Sequence, residues 1–209
     1  MRRRVGILVC ALLALALAAE AGAQNPPAEG VRLRGWYAGW QWTGGARDRW
    51  DVFGRPGLPP AEVDERGRGV GFMVGHRFGG RFLLGLQVAV TEHDLAGLSE
   101  KLRDTEGLLV GTVLFRERAT LQPFLRGGFG VGAVVLNQPD GGGQTTAIGT
   151  ATVAGAGVQV RLSSRFSLEL EGVANFTNFI EVKDDGGQDW SVKTSHFGWR
   201  VGVGVLVWF

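Results

Sequence analysis

The chain has 209 residues, of which 44% are hydrophobic, and it carries 22 basic and 20 acidic side chains. This near-balance of charge argues against a nucleic-acid partner, because such partners select strongly basic surfaces. A single cysteine excludes a disulfide framework, and 35 glycines without a period of three exclude a collagen-like chain.

The N-terminal residues 1–23 are predicted to form a cleaved signal peptide. Arg2, Arg3 and Arg4 are followed by an apolar stretch over 5–19 and by the small residues Ala21 and Ala23 near the cleavage site. This stretch is short for a membrane-spanning helix. Its removal takes away three arginines and one glutamate, which leaves 19 basic and 19 acidic residues. Residues 24–32 are predicted to be a flexible N-terminal lead, and residues 33–209 a single domain.

Alternating segments fill that domain, with apolar residues on one face and glycine or polar residues on the other. In the first segment, Trp36, Trp40 and Trp42 share one face, while Tyr37 and Gln41 share the opposite face. Eight such segments are predicted, at 33–43, 67–78, 82–91, 107–115, 121–135, 148–162, 166–176 and 197–209. The fourth segment is apolar on both faces. Gly111 is typical of an inner face. It therefore favours an orientation in which the opposite face of the fourth segment points outward, and that face carries Leu108, Val110, Thr112 and Leu114.

The connections between segments alternate in length. Short turns are predicted at 79–81, 116–120 and 163–165. Longer connections are predicted at 44–66, 92–106 and 136–147, and a fourth is centred on Gly186 and Gly187. This alternation, together with the two-faced segments, predicts an all-β fold: an eight-stranded antiparallel up-and-down transmembrane β-barrel. A water-soluble barrel would need a polar outer face, and a face of glycine and scattered charges cannot supply one.

Aromatic residues recur near the ends of the apolar faces. Phe166 and Phe176 are ten residues apart on one face, and ten residues tilted by about 45° span roughly 23 Å, the height of an apolar membrane band. The predicted aromatic girdle consists of Trp36, Phe166, Phe176, Phe197 and Trp199.

The last two strands can be aligned from the sequence. A two-residue turn at Gly186 and Gly187 would pair Phe176 with Phe197 and Phe166 with Val207, so that outward residues meet outward residues. Because the alternation continues past Phe176, residues 178–193 are predicted to project above the membrane as a hairpin. A solvated loop is the alternative.

The inner faces are predicted to carry a polar network. Its members are Arg77, Gln87, Arg126, Gln159, Arg161, Glu169, Glu171 and Arg200. The predicted register places Glu171 opposite Gly202 and diagonal to Arg200. Buried charges need partners, so these side chains are interpreted as a salt-bridged plug; a gate or an ion path is the alternative.

No catalytic site, cofactor site or metal site is predicted. Ser195 and His196 are neighbours on a strand and point to opposite faces, and the same holds for His93 and Asp94. The apolar residues of the first long loop could contact a ligand or fold back onto the barrel mouth. Contact with an extracellular ligand through the loops 44–66 and 178–193 is therefore one of two open interpretations.

The sequence resembles the small outer-membrane β-barrel domain family, which includes the OmpA-like and OmpX-like eight-stranded barrels. The resemblance rests on the opening Gly35-Trp36-Tyr37 with Gly39, on the alternating strands and on the terminal Phe209. It implies the outer membrane of a Gram-negative-type bacterium, both termini in the periplasm, a monomer, and contact with outer-membrane lipid and lipopolysaccharide. It also implies that the barrel assembly machinery recognises Val201, Val203, Val205, Val207 and Phe209.

The predicted function is therefore that of a non-enzymatic outer-membrane barrel with a structural or surface-interaction (adhesin-like) role and a polar, plugged lumen. One alternative is an OmpW-like conduit for small hydrophobic molecules, and a less favoured one is an outer-membrane lipid-modifying or proteolytic enzyme. The inward charges oppose the conduit, because a path for apolar molecules needs a continuous apolar lumen.

Overall fold

The computed structural model describes residues 35–47, 63–95, 101–116, 118–137, 144–184, 189–190 and 194–209. The predicted signal peptide at 1–23 and the lead at 24–32 lie outside these ranges. The strands are β1 Gly35–Arg47, β2 Val63–Phe78, β3 Phe82–Leu95, β4 Lys101–Leu114, β5 Leu121–Asn137, β6 Gln144–Arg161, β7 Phe166–Asp184, β8 Asp189–Trp190 and β9 Thr194–Trp208.

Eight long strands of the described residues form one closed antiparallel sheet. The strand order is β6-β5-β4-β3-β2-β1-β9-β7, and pairing of β6 with β7 closes the ring, while β8 adds to the free end of β7. The predicted eight-stranded up-and-down barrel is confirmed. The described residues include no helical segment with the length and hydrophobicity needed to cross a bilayer.

The two ends of the barrel differ. The turn end carries the short connections at 79–81, 115–120 and 163–165, together with Phe209. The loop end carries the other connections. At the turn end, Gly79 and Gly80 have φ values of 57° and 90°, a backbone region that glycine adopts without strain, so β2 reverses tightly into β3.

The outer surface is apolar around the ring. Trp36, Phe72 and Phe129 are 62%, 65% and 64% exposed although each lies within a paired strand. A water-soluble protein rarely presents so much contiguous apolar area, whereas lipid is a favourable contact for it. The predicted inward and outward faces are confirmed for the first, second, third, fifth, sixth, seventh and last segments.

The predicted orientation of the fourth segment is wrong. Leu108, Val110, Thr112 and Leu114 are buried in the lumen, while the neighbouring Leu109 and Val113 face outward. The reason is volume, because Leu108 and Val110 lie opposite Gly130 and Gly128 of β5. Large side chains on one strand fill the space that glycines leave on the next. The position of Gly111 on its own strand therefore did not indicate which face of β4 lies in the lumen.

Several strands are longer than predicted, and the extra length lies at the loop end. β4 begins at Lys101 rather than at residue 107, and β6 begins at Gln144 rather than at residue 148. Once a ladder has its register, backbone pairing can continue past the apolar band, since polar side chains there face water. The connections predicted as long loops are correspondingly shorter in the structure.

The register predicted for the last two long strands is confirmed. Phe176 pairs with Phe197 and Phe166 with Val207, and β7 continues as a strand to Asp184. The short β8 also pairs with β7, in a register that is shifted by one residue relative to the register of β9 with β7. A bulge in the pairing of β6 with β7 skips Ile180. The tip at 185–188, where the two-residue turn was predicted, lies outside the described residues.

Candidate functional site

One buried ionic cluster crosses the lumen near its middle. Arg126 of β5 donates through Nη2 to both carboxylate oxygens of Glu169, at 3.0 and 3.1 Å, and through Nη1 to Glu171. Its Nε donates to Thr112 Oγ1 at 3.0 Å. The charged side chains are 1%, 3% and 1% exposed, so their charges are satisfied by one another rather than by water.

Glycines around the two glutamates make this arrangement possible. Glu171 is flanked by Gly157 on β6 and by Gly202 on β9, which leaves its side chain free to turn across the lumen. The side chain of Gln41 from β1 lies over Gly202, where a Cβ atom added to this glycine would be 2.3 Å from Gln41 Nε2. That nitrogen donates to Glu171 Oε1 at 2.7 Å. The cluster therefore ties β1, β4, β5 and β7 together.

A second buried pair lies nearer the loop end. Glu106 of β4 accepts hydrogen bonds from Arg200 of β9 and, at 2.9 Å, from Asn175 of β7. The side chains of Arg200 and Glu106 are 7% and 1% exposed. The predicted contact of Arg200 with Glu171 is wrong, since Arg126 and Gln41 occupy the carboxylate of Glu171 and Arg200 reaches the opposite wall instead.

Aromatic residues close the lumen at the turn end. The rings of Tyr37 and Trp208 lie 5.3 Å apart, and Trp208 Nε1 donates to Ser167 Oγ at 3.0 Å. The guanidinium of Arg77 lies 5.7 Å from the centre of the Trp208 ring, and its Nε donates to the Gly80 carbonyl at 2.8 Å. Arg77 thus braces the first tight turn from inside and does not join the ionic cluster.

Three predicted lumen residues remain: Gln87, Gln159 and Arg161. Gln87 and Gln159 are buried on the inner face. Gln159 lies directly opposite Glu169 in the ladder of β6 with β7. Arg161 is half-buried at the turn end, where its backbone N–H donates to the carbonyl of Thr120.

Three members of the clusters were not predicted from the sequence: Glu106, Thr112 and Gln41. Glu106 had been assigned to a loop and Thr112 to the outer face. A correct orientation of β4 places residues 102, 104, 106, 108 and 110 on one face, and this alternation was the signal that would have found Glu106. Gln41 was correctly predicted to point inward, but its contact with Glu171 passes over β9, and the register of β1 with β9 was not predicted.

The predicted girdle residues all lie on the outer surface, at two levels. Trp36 and Phe166 lie near the turn end, and Phe176, Phe197 and Trp199 lie near the loop end. The four valines of the predicted assembly signal share the outward face of β9, and Phe209 follows the strand. Among these five residues, Phe209 and Val203 are the most exposed.

One of the two pairs considered as catalytic dyads, His93 and Asp94, has its side chains on opposite faces of β3. His93 is buried in the lumen and Asp94 is exposed outside, while Ser195 and His196 are successive residues of β9. Within the described ranges, no three His, Cys, Asp or Glu side chains converge on a point where they could hold a metal ion.

Comparison with known proteins gives structural matches only. No protein-family model matches the sequence, and no curated protein matches it. Neisserial surface protein A superposes with a TM-score of 0.59 at 12% identity, over 83% of this chain and 97% of that protein. The outer membrane protein AlkL superposes with a TM-score of 0.51 at 18% identity, over 89% and 96% of the two chains.

At these identities the matches establish the fold and nothing about activity. They cover nearly the full length of both known barrels, and they agree with the closed strand order and the apolar outer surface described above. The resemblance noted from the sequence is thereby confirmed at the level of architecture: this chain has the fold of the small eight-stranded outer-membrane β-barrels.

Proposed function

We propose that this protein is an integral outer-membrane barrel without catalytic activity, which has a structural or surface-interaction, adhesin-like role and a lumen closed by its own side chains. The observation that carries the closed lumen is the cluster of Arg126 with Glu169 and Glu171, bound also by Gln41. It reaches across the ring, and its charged side chains are almost wholly buried. An eight-stranded barrel has an interior only about as wide as its side chains need.

Closure is supported by the sequence of layers along the axis. The pair of Glu106 and Arg200 lies above the central cluster, and the aromatic pair of Tyr37 and Trp208 lies below it. A polar solute would have to separate buried ion pairs, and an apolar one would have to pass both groups of charges. Separating a buried pair leaves two uncompensated charges in the lumen, which opposes spontaneous opening.

A conduit for small hydrophobic molecules is the second candidate. Apolar side chains that line parts of the lumen favour it, namely Leu108, Val110, Val153 and Val173. The buried charges oppose it, because they interrupt that lining. Flux of a small alkane or alcohol into vesicles would favour the conduit over the closed barrel.

The proposed orientation places both termini and the turn end in the periplasm, and the loop end outside the cell. The extension of β7 to Asp184 supports it, since small outer-membrane barrels have short periplasmic turns and longer outer connections. In this orientation the loops 44–66 and 178–193 would present a contact surface to an extracellular ligand or to lipopolysaccharide.

Planar-bilayer recording tests the closed lumen. The purified barrel should give no steady conductance, and Glu171→Gln should give brief openings, because the central cluster loses one of its charge-assisted bonds. Glu92→Gln is the matched control: it removes the same charge from an exposed pair with Arg103, which is 61% exposed on the outer surface, and it should stay silent. A steady open pore in the unmodified protein would refute closure.

A further inference from the structure

We infer that the turn end carries a ring of arginines which binds the phosphate groups of anionic phospholipids in the membrane leaflet on that side. The ring consists of Arg81, Arg116, Arg118 and Arg165, all of which are exposed. This inference rests on the membrane location in the proposed function, and it adds the lipid chemistry that this end of the barrel selects.

The three short turns share one arrangement. In each of them an arginine is the immediate neighbour of an exposed phenylalanine: Arg81 precedes Phe82, Arg116 follows Phe115, and Arg165 precedes Phe166. The three phenylalanines are 57%, 46% and 47% exposed on the outer surface. Aromatic side chains concentrate at the membrane–water boundary, so their neighbours stand at the level of the lipid head groups.

Backbone hydrogen bonds hold these turns at the rim. The carbonyl of Arg81 accepts from Leu114 N at 2.8 Å, and the carbonyl of Arg165 accepts from Trp208 N at 2.8 Å. The carbonyl of Arg116 accepts from Ala119 N at 2.9 Å within its own turn. Because the backbone groups are bonded, the positions from which the guanidinium groups extend are set by the barrel.

The ring spans most of the circumference. The turns join β2 to β3, β4 to β5, and β6 to β7, so successive arginine sites are two strands apart, or about 10 Å. That spacing is close to the Debye length of about 8 Å at physiological ionic strength. Each guanidinium therefore acts on its own nearby head group, and the sites together cover three sides of the barrel.

The balance of charge differs between the two ends. The exposed charged residues described at the turn end are all arginines. Glu117 lies outside the described residues, and with it counted the four arginines still exceed the acidic residues of the turns by three. On the outer face of the loop end, Arg68 and Arg103 both pair across the ladder with Glu92. Guanidinium groups bind phosphate strongly through paired donors, and an arginine close to an anionic leaflet strengthens attraction by about fivefold.

Lipid selectivity of the reconstituted full-length barrel tests the inference. Spin-labelled phosphatidylglycerol and phosphatidylcholine are compared in phosphatidylcholine vesicles, and we expect the anionic lipid to be preferred by roughly twofold when averaged over all lipids around the barrel. Raising the salt to 1 M should remove most of the preference, since the Debye length falls to about 3 Å.

Matched double variants assign the effect to one end. Arg81→Gln with Arg165→Gln should remove about half of the preference. Arg68→Gln with Arg103→Gln should leave most of it, because these arginines lie at the other end of the barrel and Glu92 offsets one of them. An equal loss in both double variants, or no preference in the unmodified protein, would overturn the inference. Heat-modifiable migration on gels and a silent bilayer recording in the same samples would show that the proposed barrel itself is intact.

Discussion

Replacing Arg126 with glutamine should destabilise the barrel much more than replacing Glu171 with glutamine. The guanidinium donates four hydrogen bonds, three of them to carboxylate oxygens, and it is 1% exposed. Its loss leaves Glu169 and Glu171 buried beside each other without their shared cation. Removing one partner of a buried pair costs about 3–5 kcal/mol of unfolding free energy, and the repulsion between two carboxylates places this variant at the upper end.

Glu171→Gln should lower the unfolding free energy less, because of the number of charges in the cluster. The cluster contains two carboxylates for one guanidinium, so the variant still holds the pair of Arg126 and Glu169, and the new amide oxygen can accept a hydrogen bond. The expected loss is about 1–2 kcal/mol, the difference between a charge-assisted and a neutral hydrogen bond. The double variant should be more stable than Arg126→Gln alone, because it removes one of the two uncompensated charges.

Urea unfolding from lipid vesicles, followed by tryptophan fluorescence, measures these free energies. Arg103→Gln is the control, because its pair with Glu92 is exposed and should contribute less than about 1 kcal/mol. If Glu171→Gln proved as costly as Arg126→Gln, or if the double variant were the least stable, the description of the cluster as one cation shared by two anions would be wrong.

Two further predictions concern packing and orientation. A Cβ at Gly157 would lie 2.5 Å from the ring of Phe124, so Gly157→Val should cost about 2–3 kcal/mol of unfolding free energy in the same urea assay. Gly172→Ala is the control, because a Cβ at Gly172 meets nothing within 4 Å, and it should change stability by less than about 0.5 kcal/mol. For β4, a spin label on Leu109→Cys should be relaxed by oxygen dissolved in the lipid and one on Leu108→Cys should be protected; the reverse would restore the orientation that the sequence favoured.

The predictions from sequence succeeded where the signal was periodic. Alternation with a period of two decides which side chains of a strand share a face, and it correctly assigned the faces of β1 and β9 before any pairing was known. The register of β7 with β9 followed from the same rule, because only even shifts bring outward residues opposite outward residues. The paired residues Phe176 and Phe197 bear this out.

The same reasoning failed on β4, where both faces are apolar. Alternation cannot choose between two apolar faces, and the choice depended on β5, whose Gly128 and Gly130 leave space for Val110 and Leu108. That error also placed Thr112 on the outer face, although Arg126 donates to it in the lumen. Glu106, which binds Arg200 in the lumen, was missed because the strand was predicted to begin only at residue 107. The space available to a side chain depends on the residues of the neighbouring strand, so it cannot be predicted from the sequence of one strand alone.

The sequence by itself determined the architecture, the two-faced strands and the set of inward charges on β5, β7 and β9, because each of these follows from periodicity along a single strand. Only the tertiary structure decided which charges meet. Glu171 is bound by Arg126 and Gln41, which are 45 and 130 residues away along the chain, and Arg200 is bound to Glu106 across the ring. Closure of the sheet brings these strands face to face, and distances across a lumen depend on the whole ring rather than on any segment of it.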